Sequence, residues 1–177
     1  IIVFMCVTDQ DPDSPRHKRH SQILVPMDSE GIEVRKMMEV FGWDDAPHGH
    51  AHLKFTNVRV PKSNMILGEG RGFEIAQSRL APGRMHHCMR LIGAGQRCLE
   101  LACQRVEDRE TFGKKLSQHQ SIRENIAKSY AELEMARLLV HKTCWHIDTH
   151  GVKPSIELIS ATKISVPLMI KAIIDRC

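Results

Sequence analysis

The hydrophobic period of this chain changes once, at Gly72, and that change limits the fold more than any other feature of the sequence. Before it, short runs of β-forming residues alternate with turn residues. IIVFMCVT, SQILVPM and AHLKFTNVRVP read as strands, with Gly31, Gly42, Pro47, Gly49 and Pro61 between or just beyond them. After it, apolar residues recur at helical spacing. Met89, Ile92, Leu99, Ala102 and Val106 mark one helix, and Ile122, Ile126, Tyr130, Leu133, Leu138 and Trp145 a second. A third begins near Pro154-Ser155 and carries Leu158, Ile159, Ile164, Leu168 and Ile173, with a bend expected at Pro167, which removes a backbone donor. Three long helices on short loops imply antiparallel neighbours in a bundle, which a fourth helix would normally complete. The expected class is α+β, with strands in residues 1–71 and helices in residues 72–177.

Composition places the chain among globular proteins: of 177 residues, 42% are hydrophobic and 26% charged. It opens on Ile1 and stops at Cys177 while a helical pattern still runs, so it reads as an internal piece of something longer. No apolar stretch approaches the roughly 20 residues of a membrane helix, and the last candidate is broken by Lys163 and Lys171. No transmembrane segment is expected. The six cysteines form no CxxC pair, which favours reduced thiols. The formal charge is +4, and its densest cluster, Arg16 to His20, follows the turn-like DQDPDSP. That cluster reads as a solvated hairpin tip. It lacks the interleaved aromatics or basic helix face of a nucleic-acid binder, so no nucleic-acid partner is expected.

The stretch DRETFGKKLSQHQ, residues 108–120, holds more chemistry than a helix-to-helix connector requires. Gly113 suits a helix stop, and Ser117 with Gln120 fits the S-x-x-Q capping box of the next helix. Arg109 and Phe112 have no such structural reason to be there. An arginine fork can grip a phosphate while a neighbouring ring lies against an adenine. Elsewhere, His48, His50 and His52 alternate in HGHAH, but Gly49 and Pro47 suggest a loop rather than a metal-binding strand. His146 and His150 stand one helical turn apart, and two ligands without a third read as a helix face. His86, His87 and Cys88 point in different directions around a helix. No metal site is expected.

R-x-x-F-G-x-x-L followed by H-Q, here Arg109, Phe112, Gly113, Leu116, His119 and Gln120, resembles the acyl-CoA dehydrogenase family. A second match lies in FTNVRVPKSNMILGEGRGFEIAQSRLAPGR, with the V-P-x-x-N-x-L-G turn and the G-x-G-F that opens the family's first C-terminal helix. The two are in register over residues 55–120. The resemblance implies the end of an antiparallel β-barrel domain in residues 1–71 and an incomplete up-down four-helix bundle in residues 72–177. It further implies a flavin enzyme that introduces an α,β double bond into a fatty acyl-CoA, as in β-oxidation.

By the same resemblance, Arg109, Phe112 and Gln120 contact the pyrophosphate and adenosine end of an FAD held mainly by a neighbouring subunit, in a homodimer or homotetramer. Ala81, Pro82, Gly83 and Arg84 fall on the stretch that walls the acyl-CoA pocket, where Pro82-Gly83 also reads as a helix break or kink. One position that carries the catalytic base in some members is Gly83, which has no side chain. In others the base follows a glycine-rich segment after the third helix, which this chain does not contain, so the catalytic residue is unknown. An electron-accepting flavoprotein or oxygen would be the redox partner, and a mitochondrial or peroxisomal location is implied. A non-catalytic fragment or isoform that keeps only the oligomerisation scaffold is the alternative. The 177-residue chain alone is expected to bind FAD weakly, to lack activity and to self-associate.

Overall fold

The computed structural model describes all 177 residues. The chain divides into two compact units, Ile1–Gln77 and Ser78–Cys177.

The first unit is built from two antiparallel hairpins. β1 (Ile2–Val7) pairs with β2 (His20–Val25) in the register Ile2↔Val25 through Val7↔His20. β3 (Ile32–Met38) pairs with β4 (His50–Phe55) and carries a bulge between Val34 and Lys36. No closed barrel forms, since each sheet holds two strands. β3 is a strand that the sequence reading missed: its EVRKMM alternates poorly and six of its seven side chains are exposed, so it shows little of the period that betrays a half-buried strand. The expected third strand is also shorter than its apolar run. It ends at Phe55, and Asn57 with φ of 51° turns the chain away.

The segment after that turn lies back along β2. Ile66 N–H donates to the Gln22 carbonyl at 2.9 Å, Asn64 Nδ2 to the Leu24 carbonyl at 3.0 Å, and Gly70 N–H to Ser21 Oγ at 2.9 Å. Ser21 and Gln22 are buried, and Gln22 Nε2 reaches the Gly72 carbonyl at 3.1 Å, which ties the first turn of the following helix to the hairpin. Phe4 and Phe55, with ring centroids 4.6 Å apart, join the two hairpins.

The second unit holds most of α1 (Gly72–Asp108), with α2 (Gln120–His150) and α3 (Ile156–Arg176). Contacts fix their directions. Thr143 meets Thr162 and Glu132 meets Arg176, so α2 and α3 are antiparallel; Gln96 meets Arg137, so α1 and α2 are antiparallel; Cys88 meets Thr162, so α3 returns parallel to α1. This is an up-down-up bundle. Its core joins Met85, Cys88, Ile92 and Leu99 of α1 with Leu133, Ala136 and Val140 of α2 and Ile159, Val166, Ile170 and Ile173 of α3. A Cβ on Gly95 would lie 3.1 Å from Ile170 Cδ1 and 3.4 Å from Leu133 Cδ1, so the absent side chain lets three helices approach.

Several expected core residues point to solvent. Met89, Tyr130, Leu138, Trp145, Ile164 and Leu168 are exposed, while Ala136, Val140 and Thr143 are buried in their place on α2. Apart from Leu133, the inward row of α2 is made of the smaller Ser129, Ala136, Val140 and Thr143, so side-chain size does not mark the buried face. Pro82 and Pro167 lie within continuous helices: each withdraws one amide donor without ending its helix. α2 closes at Gly151, whose φ of 85° lets its N–H return to the Ile147 carbonyl at 2.8 Å.

Candidate functional site

Residues 108–120 are more ordered than a plain connector. α1 ends at Asp108, and β5 (Glu110–Thr111) pairs with β6 (Lys114–Lys115) in a two-residue ladder, Glu110↔Lys115 and Thr111↔Lys114. The turn between them is Phe112-Gly113, with φ of 52° and 75°. Two successive positive φ values match the tight hairpin turn whose twist suits paired strands. Gly113 is therefore a turn residue, not a helix stop. Strands of two residues are too short to show a period, which is why the sequence hid them.

A phenylalanine at positive φ is strained, because its Cβ crowds the backbone there. Phe112 is also 98% exposed, so no packing within the chain accounts for it. The hairpin closes below it: Leu116 N–H donates to the Arg109 carbonyl at 2.8 Å, and Lys115 lies 3.6 Å from Glu107. Arg109 itself is exposed and enters none of the chain's salt bridges. A guanidinium fork that is not spent internally, beside an uncovered ring, suits an anionic group joined to an aromatic one.

The expected capping box does not form. His119 is the N-cap of α2 and its side chain does not cap the helix, and Ser117 lies in a short 3-10 turn, Leu116–Gln118. Ser117 contributes its carbonyl to Arg123 Nε at 2.6 Å, and Gln120, as the first residue of α2, gives Nε2 to Glu124 at 2.9 Å. The 3-10 turn moves the N-cap from Ser117 to His119, past the serine. Gln120 keeps its amide oxygen available. Arg109, Phe112 and Gln120 thus share one connector.

Ala81, Pro82, Gly83 and Arg84 sit near the other end of α1. Ala81 is 1% exposed and belongs to the bundle core, whereas Pro82 faces solvent and Gly83 and Arg84 are half-buried. A Cβ on Gly83 would meet nothing within 4 Å, so a side chain would fit where none stands. From Arg84 to Arg109 the chain runs along α1, about 37 Å at 1.5 Å per residue. Within one chain the two candidate groups are far apart.

The family model of the acyl-CoA dehydrogenase C-terminal domain matches residues 70–177. This chain belongs to the acyl-CoA dehydrogenase family. Acyl-CoA dehydrogenase family member 10 of Mus musculus is 51% identical over 176 residues, covering 99% of this chain and 16% of its own length. A solved Mycobacterium abscessus structure assigned to the acyl-CoA dehydrogenases superposes with a TM-score of 0.86 at 45% identity, covering 98% of this chain and 42% of that one. The acyl-CoA dehydrogenase of Geobacillus kaustophilus gives 0.82 at 25% identity, over 97% of this chain and 44% of its own. The chain thus spans less than half the length of each.

The basic stretch at Arg16–Lys18 is an exposed 3-10 turn in the β1–β2 connection, but the His17 ring stacks on Phe73 of the G-x-G-F motif, centroids 4.1 Å apart. Together they border an open cavity of about 890 Å³ that also takes in Asp9, Lys18, Arg71 and Glu74. The signal was Phe73, a large apolar residue at a helix start with no place on the helix's inner face.

No group of three His, Cys, Asp or Glu side chains converges anywhere in the chain, and no helix is long and apolar enough to cross a membrane. His50 and His52 do lie in a strand, on β4. All six cysteines are free, and burial raises the thiol pKa of Cys88, Cys144 and Cys177, which keeps those sulfurs protonated and poorly nucleophilic.

Proposed function

We propose that the full-length protein is an FAD-dependent acyl-CoA dehydrogenase that forms an α,β double bond in a fatty acyl thioester. Bound FAD would supply the hydride acceptor, and the protein the binding and orientation. Residues 1–71 would be the later part of the middle β domain and residues 72–177 the C-terminal helical domain, the boundary between the compact units falling just inside α1. Arg109 would give charge-assisted bonds to the pyrophosphate, Phe112 a surface for the adenine, and Gln120 an amide contact. Ala81 to Arg84 would border the acyl chain, with Ala81 setting the helix position from inside the core and Arg84 meeting the substrate. The base would come from outside these residues, since Gly83 cannot serve.

The observation that carries this reading is the Phe112-Gly113 turn: a strained, uncovered aromatic beside an arginine whose fork is unspent. The length of α1 supports the shared site. A clamp some 37 Å from the acyl wall fits a cofactor that belongs to a neighbouring subunit better than one shared with its own chain, so a homodimer or homotetramer is part of the proposal. An electron-accepting flavoprotein or oxygen would reoxidise the flavin, and a mitochondrial or peroxisomal site follows from the same family reading.

The test is spectroscopic. Acyl-CoAs of graded chain length, added without oxygen to the full-length protein, should bleach the flavin absorbance. Arg84→Ala should slow that bleaching with FAD still bound. If no acyl-CoA reduces the flavin, the reading fails.

A further inference from the structure

His146 and His150 lie one turn apart on α2, on one face. Their imidazoles stack, with centroids 4.3 Å apart and planes inclined by 26°. Hydrogen bonds settle which nitrogen of each carries the proton. Ser155 Oγ donates its single hydrogen to the Gly151 carbonyl at 2.6 Å, so toward His146 Nδ1, at 2.8 Å, it can only accept. His146 Nδ1 is therefore the N–H. The His146 carbonyl likewise only accepts, so His150 Nδ1, at 3.3 Å, is again the donor. A neutral imidazole has one N–H, so both rings keep a bare lone pair on Nε2.

This is the arrangement in which histidines bind metals: one nitrogen tied to an oxygen that fixes tautomer and orientation, the other free to ligate. Ser155 is fully buried, so the anchor for the His146 ring is rigid. Zinc–nitrogen bonds are about 2.0–2.1 Å, so the exposed His150 ring must turn out of the stack for both in-plane Nε2 lone pairs to meet one ion. Spacing alone gave this pair as a plain helix face, but with both Nε2 lone pairs bare we propose that His146 and His150 form a two-nitrogen chelate for a late first-row divalent ion, Cu²⁺, Ni²⁺ or Zn²⁺, with water in the remaining positions. Imidazole suits these ions, and with hard carboxylates absent from the group it disfavours Mg²⁺ and Ca²⁺. The site is independent of the flavin reading. It lies near the C-terminal end of α2, beyond the residues of the clamp.

Trp145 stands beside the pair, its ring 6.0 Å from that of His150, and serves as the reporter. The other tryptophan, Trp43, is exposed in the first unit and can be removed by Trp43→Phe. Titrating Ni²⁺, a redox-inert quencher, into that variant of the chain should quench Trp145 saturably, and EDTA should reverse it. His150→Gln should weaken the apparent affinity about tenfold or more, whereas His141→Gln, an exposed histidine of the same helix, should leave it unchanged. Circular dichroism of each ion-free variant guards against misfolding. Non-saturable quenching, an unaltered titration in His150→Gln, or an equal loss in His141→Gln would overturn the site.

Discussion

The Phe112 backbone makes the β5–β6 turn, but its side chain packs against nothing in its own chain. Its φ of 52° costs on the order of 1–2 kcal/mol relative to glycine, and its ring is 98% exposed, so no burial offsets that cost. Strain of this kind persists where a function needs the side chain. Phe112→Asn should therefore raise the stability of the flavin-free protein by roughly 1 kcal/mol while lowering its FAD retention. Thermal melts and flavin content after gel filtration check both halves; a variant less stable than the parent would show that the ring is structural. Arg109→Ala should also lower flavin content, with a stability change within about 0.5 kcal/mol as expected of an exposed side chain. Flavin content equal to the parent's would remove Arg109 from the cofactor site.

Between elements, the α2–α3 contact carries a charge pair whose pH response has a definite sign. The Arg176 guanidinium donates to Glu132, both partly buried, and that hydrogen bond holds the Glu132 carboxyl below its usual range. A lowered pKa means the folded chain binds fewer protons than the unfolded one in acid. The stabilisation is complete above the ordinary glutamate range, near pH 4.3, and is lost as pH falls through the lower, folded value. Arg176 Nε remains buried without a partner, which offsets part of the gain. Roughly 1–2 kcal/mol at neutral pH is expected from the pair. Glu132→Gln should lose about that much at pH 7 and converge on the parent in acid. A constant difference from pH 7 down to pH 3 would assign the loss to packing instead of charge.

Over the whole molecule, the helices have two apolar rows and bury one. Leu133, Ala136 and Val140 face the core, while Leu138 at 67% exposure, Trp145 at 61% and Leu168 at 66% face solvent. Contiguous exposed apolar surface drives association. The chain should sediment with a weight-average mass that rises with concentration, and Leu138→Glu combined with Leu168→Glu should lower that mass without unfolding the core. A monomer at all concentrations would show that these side chains need no cover.

The sequence by itself determined the β-to-helix order, the three helices and the two family motifs, because each is written in periods or spacings of neighbouring residues. Period counting also found Ile92, Leu99, Leu133, Ile159 and Ile173, whose burial follows from helix geometry. Tertiary structure alone decided the rest. The inward face of α2 was decided by packing, where Ala136, Val140 and Thr143 allow close helix approach and larger neighbours do not. The strand β3 and the β5–β6 ladder were decided by partners across the hairpin, which no local window sees. The tautomers of His146 and His150 depend on where Ser155 and a backbone carbonyl come to rest, and a spacing of four residues carries no record of that.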